Sequence, residues 1–337
     1  MGKVIDCHGH YTTFPQGVTD WREEQKAAVA ADPKFVGSKG AFDITDDEIV
    51  DSIEQNQLKL QRERGTDLTI FSPRASWMAH HIGNEHTSKF WSQNQNDLIR
   101  RVCDLFPDNF APGCQLPQSP GTSIANSVTE LRRCVEEMGF VGCNVNPDPS
   151  GGFWNDTPPL WDEYWFPLWE AMCELDVPAM IHVSASCNEH FFSTGSHYLG
   201  ADTTAWMQAL TSGFMSEFPN LRFVIPHGGG AVPYHWGRFK GMAQDKGWDF
   251  DALLEHIYFD TCVYHQPGID LLLDVVPTKN ILFASEMVGA VRGVNAETGN
   301  YWDDTKIYID NSSLDDDAKQ MIFEDNIYAV YPRLERL

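Results

Sequence analysis

Lys3-Val4-Ile5-Asp6-Cys7-His8-Gly9-His10 is the stretch around which the rest of this chain can be organised. Val4, Ile5 and Cys7 form a short apolar run of the kind that makes a buried strand, and two histidines separated by one glycine close it. In extended backbone, residues i and i+2 point to the same side. His8 and His10 can therefore present both imidazoles to one point, with no side chain at Gly9 between them. This is a two-toothed clamp for a metal ion, placed where parallel α/β barrels gather their functional residues, at the C-terminal end of a strand.

Further along, short runs rich in β-branched and aromatic residues recur at 68–71, 110–116, 140–145, 177–184, 221–226, 257–262 and 281–285. Helical stretches separate them. Thr45-Asp-Asp-Glu48 is a capping box opening a helix that Gly65 ends, and further helices are expected at 91–106, 123–138, in the aromatic-rich 161–169 region and at 203–217. Strand and helix in alternation mean parallel strands joined by crossovers, and eight of them close into an α/β (β/α)8 TIM barrel. Residues 11–44, with Pro15, Gly17, Pro33, Gly37 and Gly40 and no clear period, read as a long loop and possible lid at the C-terminal face. A second long loop is expected at 185–202. No repeat or linker divides the chain, so a single domain is expected over residues 1–337.

Composition narrows the function. The 337 residues carry 48 acidic against 24 basic side chains, a net charge of −24. Such a surface is a poor partner for nucleic acid or anionic membranes. No run approaches the roughly 18 apolar residues of a membrane span, and no charged start leads into an apolar leader, so a cytoplasmic protein is expected. The eight cysteines are scattered without a Cys-x-x-Cys pair, which suits a reducing compartment. An anionic substrate would be repelled by the overall field, and its pocket would have to supply local positive charge.

Collected at the strand ends are His8, His10, Arg74, Asn144, Asn146, His182, Ser184, His227 and Glu286. In a barrel, all of them open onto one mouth. Three imidazoles with one carboxylate suit zinc, which takes N and O ligands in low coordination number and leaves a position free. Each residue also has a blander reading. His182 in Met-Ile-His-Val could be a satisfied core histidine, and His227 could fill the turn into Gly228-Gly-Gly230. Arg74 and Arg292 could be structural ion-pair partners. A carboxylate such as Glu286 at the end of an apolar strand is costly unless paired or bound to a cation. His80, His81, His86, His190, His235, His256 and His265 lack the strand-end context.

Asp6-Cys-His-Gly-His10, Phe71-Ser-Pro-Arg-Ala-Ser76, Gly142-Cys-Asn-Val-Asn-Pro-Asp-Pro149, Ala179-Met-Ile-His-Val-Ser184, Pro226-His-Gly-Gly-Gly-Ala-Val-Pro-Tyr-His-Trp-Gly-Arg238 and Phe283-Ala-Ser-Glu-Met-Val-Gly-Ala-Val-Arg-Gly293 closely resemble the 4-oxalomesaconate hydratases. These enzymes are amidohydrolase-like barrels of the 4,5-cleavage route of protocatechuate and gallate breakdown. The resemblance covers nearly the whole chain. It implies zinc held at His8, His10, His182 and Glu286, and a hydro-lyase reaction adding water to 4-oxalomesaconate to give 4-carboxy-4-hydroxy-2-oxoadipate. Hydrolases and decarboxylases of the wider superfamily usually carry Asp after strand 8, where this chain has Glu286, which weakens transfer of their mechanisms.

The expected proton-transfer pair is Glu286, moving the carbon proton, and His227, handling the water proton. Arg74, Asn144, Ser184, Tyr198 and Arg292 are expected to bind the tricarboxylate substrate. A homo-oligomer is expected. The nearest rival is a metal-dependent decarboxylase or hydrolase of a related aromatic-derived carboxylate, which would share the histidines and differ at Glu286. A serine hydrolase lacks its Gly-x-Ser-x-Gly elbow. A non-catalytic metal-binding protein would not need so many titratable and anion-binding groups at one mouth.

Overall fold

A computed structural model describes residues 2–336; the two ends of the expected domain, residues 1 and 337, lie outside the described residues. Eight strands follow in chain order: β1 Ile5–Tyr11, β2 Leu68–Pro73, β3 Phe110–Gln115, β4 Gly142–Val145, β5 Ala179–Ile181, β6 Phe223–Ile225, β7 Ile257–Asp260 and β8 Ile281–Leu282. Each pairs in parallel with the next, giving one curled sheet in the order β1 to β8. Two backbone hydrogen bonds join the last segment to the first strand: Cys7 N–H donates to Phe283 O at 2.9 Å, and Glu286 N–H to His8 O at 3.1 Å. The helices between strands are α1 Gln16–Ala31, α2 Asp46–Gln55, α3 Gln57–Arg64, α4 Glu85–Leu105, α5 Ala125–Arg132, α6 Phe166–Leu175, α7 Tyr198–Ser212, α8 Trp236–Lys246, α9 Phe250–Leu253 and α10 Gln266–Val275. No described helix is long and apolar enough to cross a membrane, and the eight cysteines are free thiols.

Both faces of the strands are buried, so the period of 2 separates two apolar clusters rather than core from solvent. Ile70, Met180, Val224, Leu282 and Ala284 face an inner cluster with Tyr331 and Leu334, while Phe71, Ile181, Phe223, Ile225 and Phe283 face the layer against the helices. In β1 the alternation changes hand. Cys7 faces the inner cluster, but Tyr11, of the same parity, faces the outer one. A register irregularity between Asp6 and Gly9 accounts for the change. Such an irregularity re-aims side chains beside an active site, and here it accompanies His8 and His10 turning toward each other.

Three expectations are corrected. The region 11–44 is not one loop, because α1 occupies half of it. Only Val18 and Arg22 of that helix are buried, and Arg22 docks by stacking its guanidinium 4.5 Å from Trp77 and 4.9 Å from Trp91. A helix held by a cation on aromatic faces has no apolar stripe to betray it. The helix expected over 45–64 starts at its capping box, with Thr45 Oγ1 accepting from Glu48 N at 3.2 Å, but breaks at Asn56 (φ −125°, ψ −92°) into α2 and α3. The loop expected over 185–202 ends early in a wide helical turn, Ser193–His197, that runs directly into α7. Tyr198 therefore stands buried at a helix start.

Candidate metal centre and active site

His8 and His10 from β1, His182 after β5 and Glu286 after β8 bring four ligand atoms within 4.8 Å of one another, all four residues buried. The outer nitrogens fix the tautomers. His8 Nδ1 lies 2.7 Å from Asp260 Oδ2, His10 Nδ1 2.8 Å from Ser72 Oγ, and His182 Nδ1 2.8 Å from Val183 O. Ser72 gives its own proton to Gly9 O, so it accepts from His10. Every Nδ1 is then a donor, which directs every Nε2 toward the centre of the cluster. His8 Nε2 and His10 Nε2 face each other at 2.9 Å, and His182 Nε2 is buried with no partner. Two ring nitrogens at that distance need a proton or a metal ion between them. Burial, reinforced by the neighbouring imidazoles, also holds His10 and His182 well below the usual imidazole range. The donor set fits a divalent metal ion, which would take the place of protons at the Nε2 atoms.

Asp260 ends β7 and supports the cluster from behind. Burial opposes its charge, but the hydrogen bond from His8, the nearby His8 and His227 imidazoles and the backbone N–H of Gly228 keep it below the usual carboxylate range. Carboxylates that hold a ligand histidine typically contribute about 10- to 100-fold to metal affinity. Asp260→Asn is expected to weaken binding by about that factor, measured by competition with a chromophoric chelator.

Glu286 sits in the left-handed region (φ 49°), a conformation that non-glycine residues adopt where surrounding contacts enforce it. Tyr264 O–H donates to Glu286 Oε2 at 2.7 Å. Gly289 closes against the same side chain: a Cβ there would lie 2.7 Å from both Cγ and Cδ of Glu286. That Cβ would also lie 2.5 Å from the backbone O of Glu286, so Gly289→Ala has to shift the Glu286 backbone and carboxylate together, and a displacement near 1 Å costs about 100-fold. Steady-state kinetics should show kcat/KM falling by about that factor without loss of fold.

His227, after β6, is also held with positive φ (53°). Its Nδ1 pairs with Asp202 Oδ2 at 2.9 Å, and its Nε2 is buried without a partner. Its ring centroid lies 5.4 Å from that of His8 and 5.1 Å from that of His182. Burial alone would lower its proton affinity. Asp202, with Glu286 and Asp260 behind it, outweighs burial and lifts His227 to about 9.

Beside these groups opens a cavity of about 300 Å³. His10, Glu286, Arg74, Tyr198 and Arg292 line it, and Glu286 is the one carboxylate among the lining residues. Arg74 is steadied by Ser76 Oγ at 2.9 Å and by the Trp77 ring at 5.1 Å. Its proton affinity is reduced first by burial and then by the nearby charge of Arg292. Two guanidiniums facing one cavity in a chain of net charge −24 supply the local positive charge that an anionic ligand needs. Tyr198 presents its ring 5.0 Å from that of His182 and 5.5 Å from that of His227.

Asn144, Ser184 and His227 are not among the residues that line this cavity. Asn144 Nδ2 donates to Ser72 Oγ at 3.0 Å, which ties it to the support of His10. Ser184 Oγ accepts from Asn146 Nδ2 at 3.3 Å. Both are buried, and each makes one hydrogen bond to a neighbouring side chain. Asp260, Asp202, Tyr264 and Ser72 were not singled out from sequence. Asp260 had a signal, an acid closing the apolar run Ile257-Tyr-Phe, in the same manner as Glu286. Asp202 and Tyr264 had none, being a polar residue on a helix and a loop aromatic.

The amidohydrolase family model matches residues 5–333. The chain is 56% identical over 340 residues to 2-keto-4-carboxy-3-hexenedioate hydratase of Sphingobium sp., covering 99% of this chain and 98% of the relative. It superposes on the crystal structure of 4-oxalomesaconate hydratase from Rhodopseudomonas palustris with a TM-score of 0.91 and 53% identity, covering 99% and 97% of the two chains. The crystal structure of 2,6-dihydroxybenzoate decarboxylase from Rhizobium shares the fold at a TM-score of 0.68 and 18% identity, over 98% and 99% of the chains. With a family match over nearly its full length and the expected resemblance extending to both hydratases, the chain belongs to the amidohydrolase family.

Proposed function

We propose that this protein is a zinc-dependent hydro-lyase that adds water to 4-oxalomesaconate, giving 4-carboxy-4-hydroxy-2-oxoadipate in the 4,5-cleavage breakdown of protocatechuate and gallate. The observation that carries the reading is the pairing of a three-histidine, one-glutamate cluster with a cavity holding Arg74 and Arg292, in a chain 56% identical to a hydratase over 99% of its length. His8, His10, His182 and Glu286 would hold the metal. Bound there, zinc would polarise substrate oxygen and lower the pKa of water from about 15.7 toward roughly 7.

The residues supply the rest. Arg74 and Arg292 bind substrate carboxylates, and Tyr198 offers a hydroxyl at the same cavity. In the isomer of the substrate that the Sphingobium relative's name describes, 2-keto-4-carboxy-3-hexenedioate, the double bond is conjugated to the ketone. Water forms its C–O bond at the far alkene carbon, the alkene electrons move toward the ketone, and the carbon next to the ketone gains a proton. Glu286 already accepts a hydrogen bond from Tyr264, which suits a carboxylate that takes the proton of water. His227, with Asp202 on Nδ1, suits the group that gives a proton to carbon. This division reverses the one expected from sequence, and it leaves the net proton count unchanged.

The curled sheet is read as a closed (β/α)8 barrel forming one domain, supported by the two bonds between β1 and the segment after β8. The eight free thiols suit the expected cytoplasmic location. Exposed Phe192 and Tyr234 suit a homo-oligomer, which sedimentation would test.

The substrate reading is tested by following loss of the conjugated absorbance of 4-oxalomesaconate. Hydrogen bonds to charged groups contribute about 1.5–3 kcal/mol. Arg74→Met is accordingly expected to lower kcat/KM by about 10- to 100-fold, mostly through KM; unchanged constants would remove Arg74 from substrate binding.

A further inference from the structure

We propose that Tyr264 is a positioning residue for Glu286, holding one carboxylate oxygen so that the other faces the reacting water. The inference rests on the reading of Glu286 as the proton acceptor. Three contacts define how Glu286 is held, and only one of them is a side-chain donor. The backbone N–H of Glu286 is fixed to His8 O at 3.1 Å. The chain at Gly289 runs so close that a Cβ there would lie 2.7 Å from Cγ and Cδ. Tyr264 donates its hydroxyl proton to Oε2 at 2.7 Å.

The backbone contacts set where the side chain starts, but they leave the last torsion of the carboxylate free, because such terminal torsions are broad. Among these three contacts Tyr264 alone constrains it, leaving the other oxygen to the metal that Glu286 would hold and to the water beside it. The tyrosine is itself anchored, since its carbonyl oxygen accepts from Tyr308 O–H at 3.3 Å. It reaches the site from the loop after β7, whereas Glu286 comes from the segment after β8, so the contact ties two neighbouring strand ends together at the chemistry. No proton needs to leave Tyr264 for this role. It remains a donor throughout, and when Glu286 takes the proton of water, that proton goes to the oxygen that Tyr264 does not hold.

The test is Tyr264→Phe, which removes one oxygen and keeps the ring, assayed at saturating zinc with 4-oxalomesaconate, together with its zinc dissociation constant measured by chelator competition. The expected result is a fall in kcat of about 10- to 100-fold, with KM and the zinc constant each changed less than about threefold. The split separates positioning from packing, because a merely structural role lowers the folded, zinc-loaded fraction and leaves its kcat alone. A kcat within twofold of the parent overturns the inference, as does a loss confined to zinc affinity. Should Tyr264→Phe fail to fold, Tyr264→His, which retains a ring donor of shorter reach, is expected to give the same split to a smaller degree, and parental kcat in that variant overturns the inference equally. Adding Tyr264→Phe to Glu286→Gln distinguishes this inference from the reading beneath it. The double variant is expected to be no slower than Glu286→Gln alone. An active Glu286→Gln defeats the reading of Glu286, whereas an inactive Glu286→Gln that slows a further tenfold or more defeats only the role of Tyr264.

Discussion

Glu286→Gln is expected to lower kcat by about 10²- to 10⁴-fold, the range over which a positioned proton acceptor contributes. The substitution is close to isosteric. The amide carbonyl still accepts from Tyr264, the side chain still fills the space that Gly289 leaves, and the backbone bond to His8 is untouched. What disappears is the capacity to take a proton, along with one negative charge beside three imidazoles. Because an amide oxygen is also a weaker metal ligand, turnover has to be compared at saturating metal, with bound metal measured by atomic emission. Near-parental kcat in metal-loaded Glu286→Gln would remove Glu286 from the proton-transfer pair, whatever happens to metal affinity.

Metal removal carries the second large effect, on both activity and stability. The fold turns Nε2 of His8 and His10 toward each other at 2.9 Å and buries Nε2 of His182 without a partner. Buried groups left unsatisfied cost about 1–3 kcal/mol each, so the apo protein carries that cost while the metal-bound protein does not. A metal at 1,000 times its Kd stabilises by about 4 kcal/mol through mass action. Stripping with a chelator should therefore abolish turnover and lower Tm by several degrees, and returning zinc should restore both. Calorimetric scans with and without chelator give the answer directly. A Tm that does not respond to chelation, with metal loss confirmed, would contradict the reading of these nitrogens as ligands.

The fold was legible because each strand is a short apolar run closed by a polar residue, a pattern that survives without any knowledge of tertiary contacts. His8, His10, His182, His227 and Glu286 were found by that logic, and the structure gathers all five. The logic was weakest where a polar group is spent on another polar group. Asn144 and Ser184 have the same strand-end signature as His182, but their side chains bond to Ser72 and Asn146. Nothing in a linear pattern separates a hydrogen bond to a neighbour from one to a ligand. Long-range supports were invisible for a related reason. Asp202 reaches His227 from α7 and Tyr264 reaches Glu286 from a loop, so their roles exist only after the chain has folded. The helix α1 was missed because Arg22, stacked between Trp77 and Trp91, does the work that an apolar stripe does elsewhere.

The most direct test of the central claim is a proton NMR time course of the zinc-loaded protein with 4-oxalomesaconate beside a chelator-stripped control. The account predicts loss of the vinylic signal and growth of the hydrated oxoadipate in the zinc sample only. A product lacking one carboxyl group, or an unchanged spectrum with zinc bound, would contradict it.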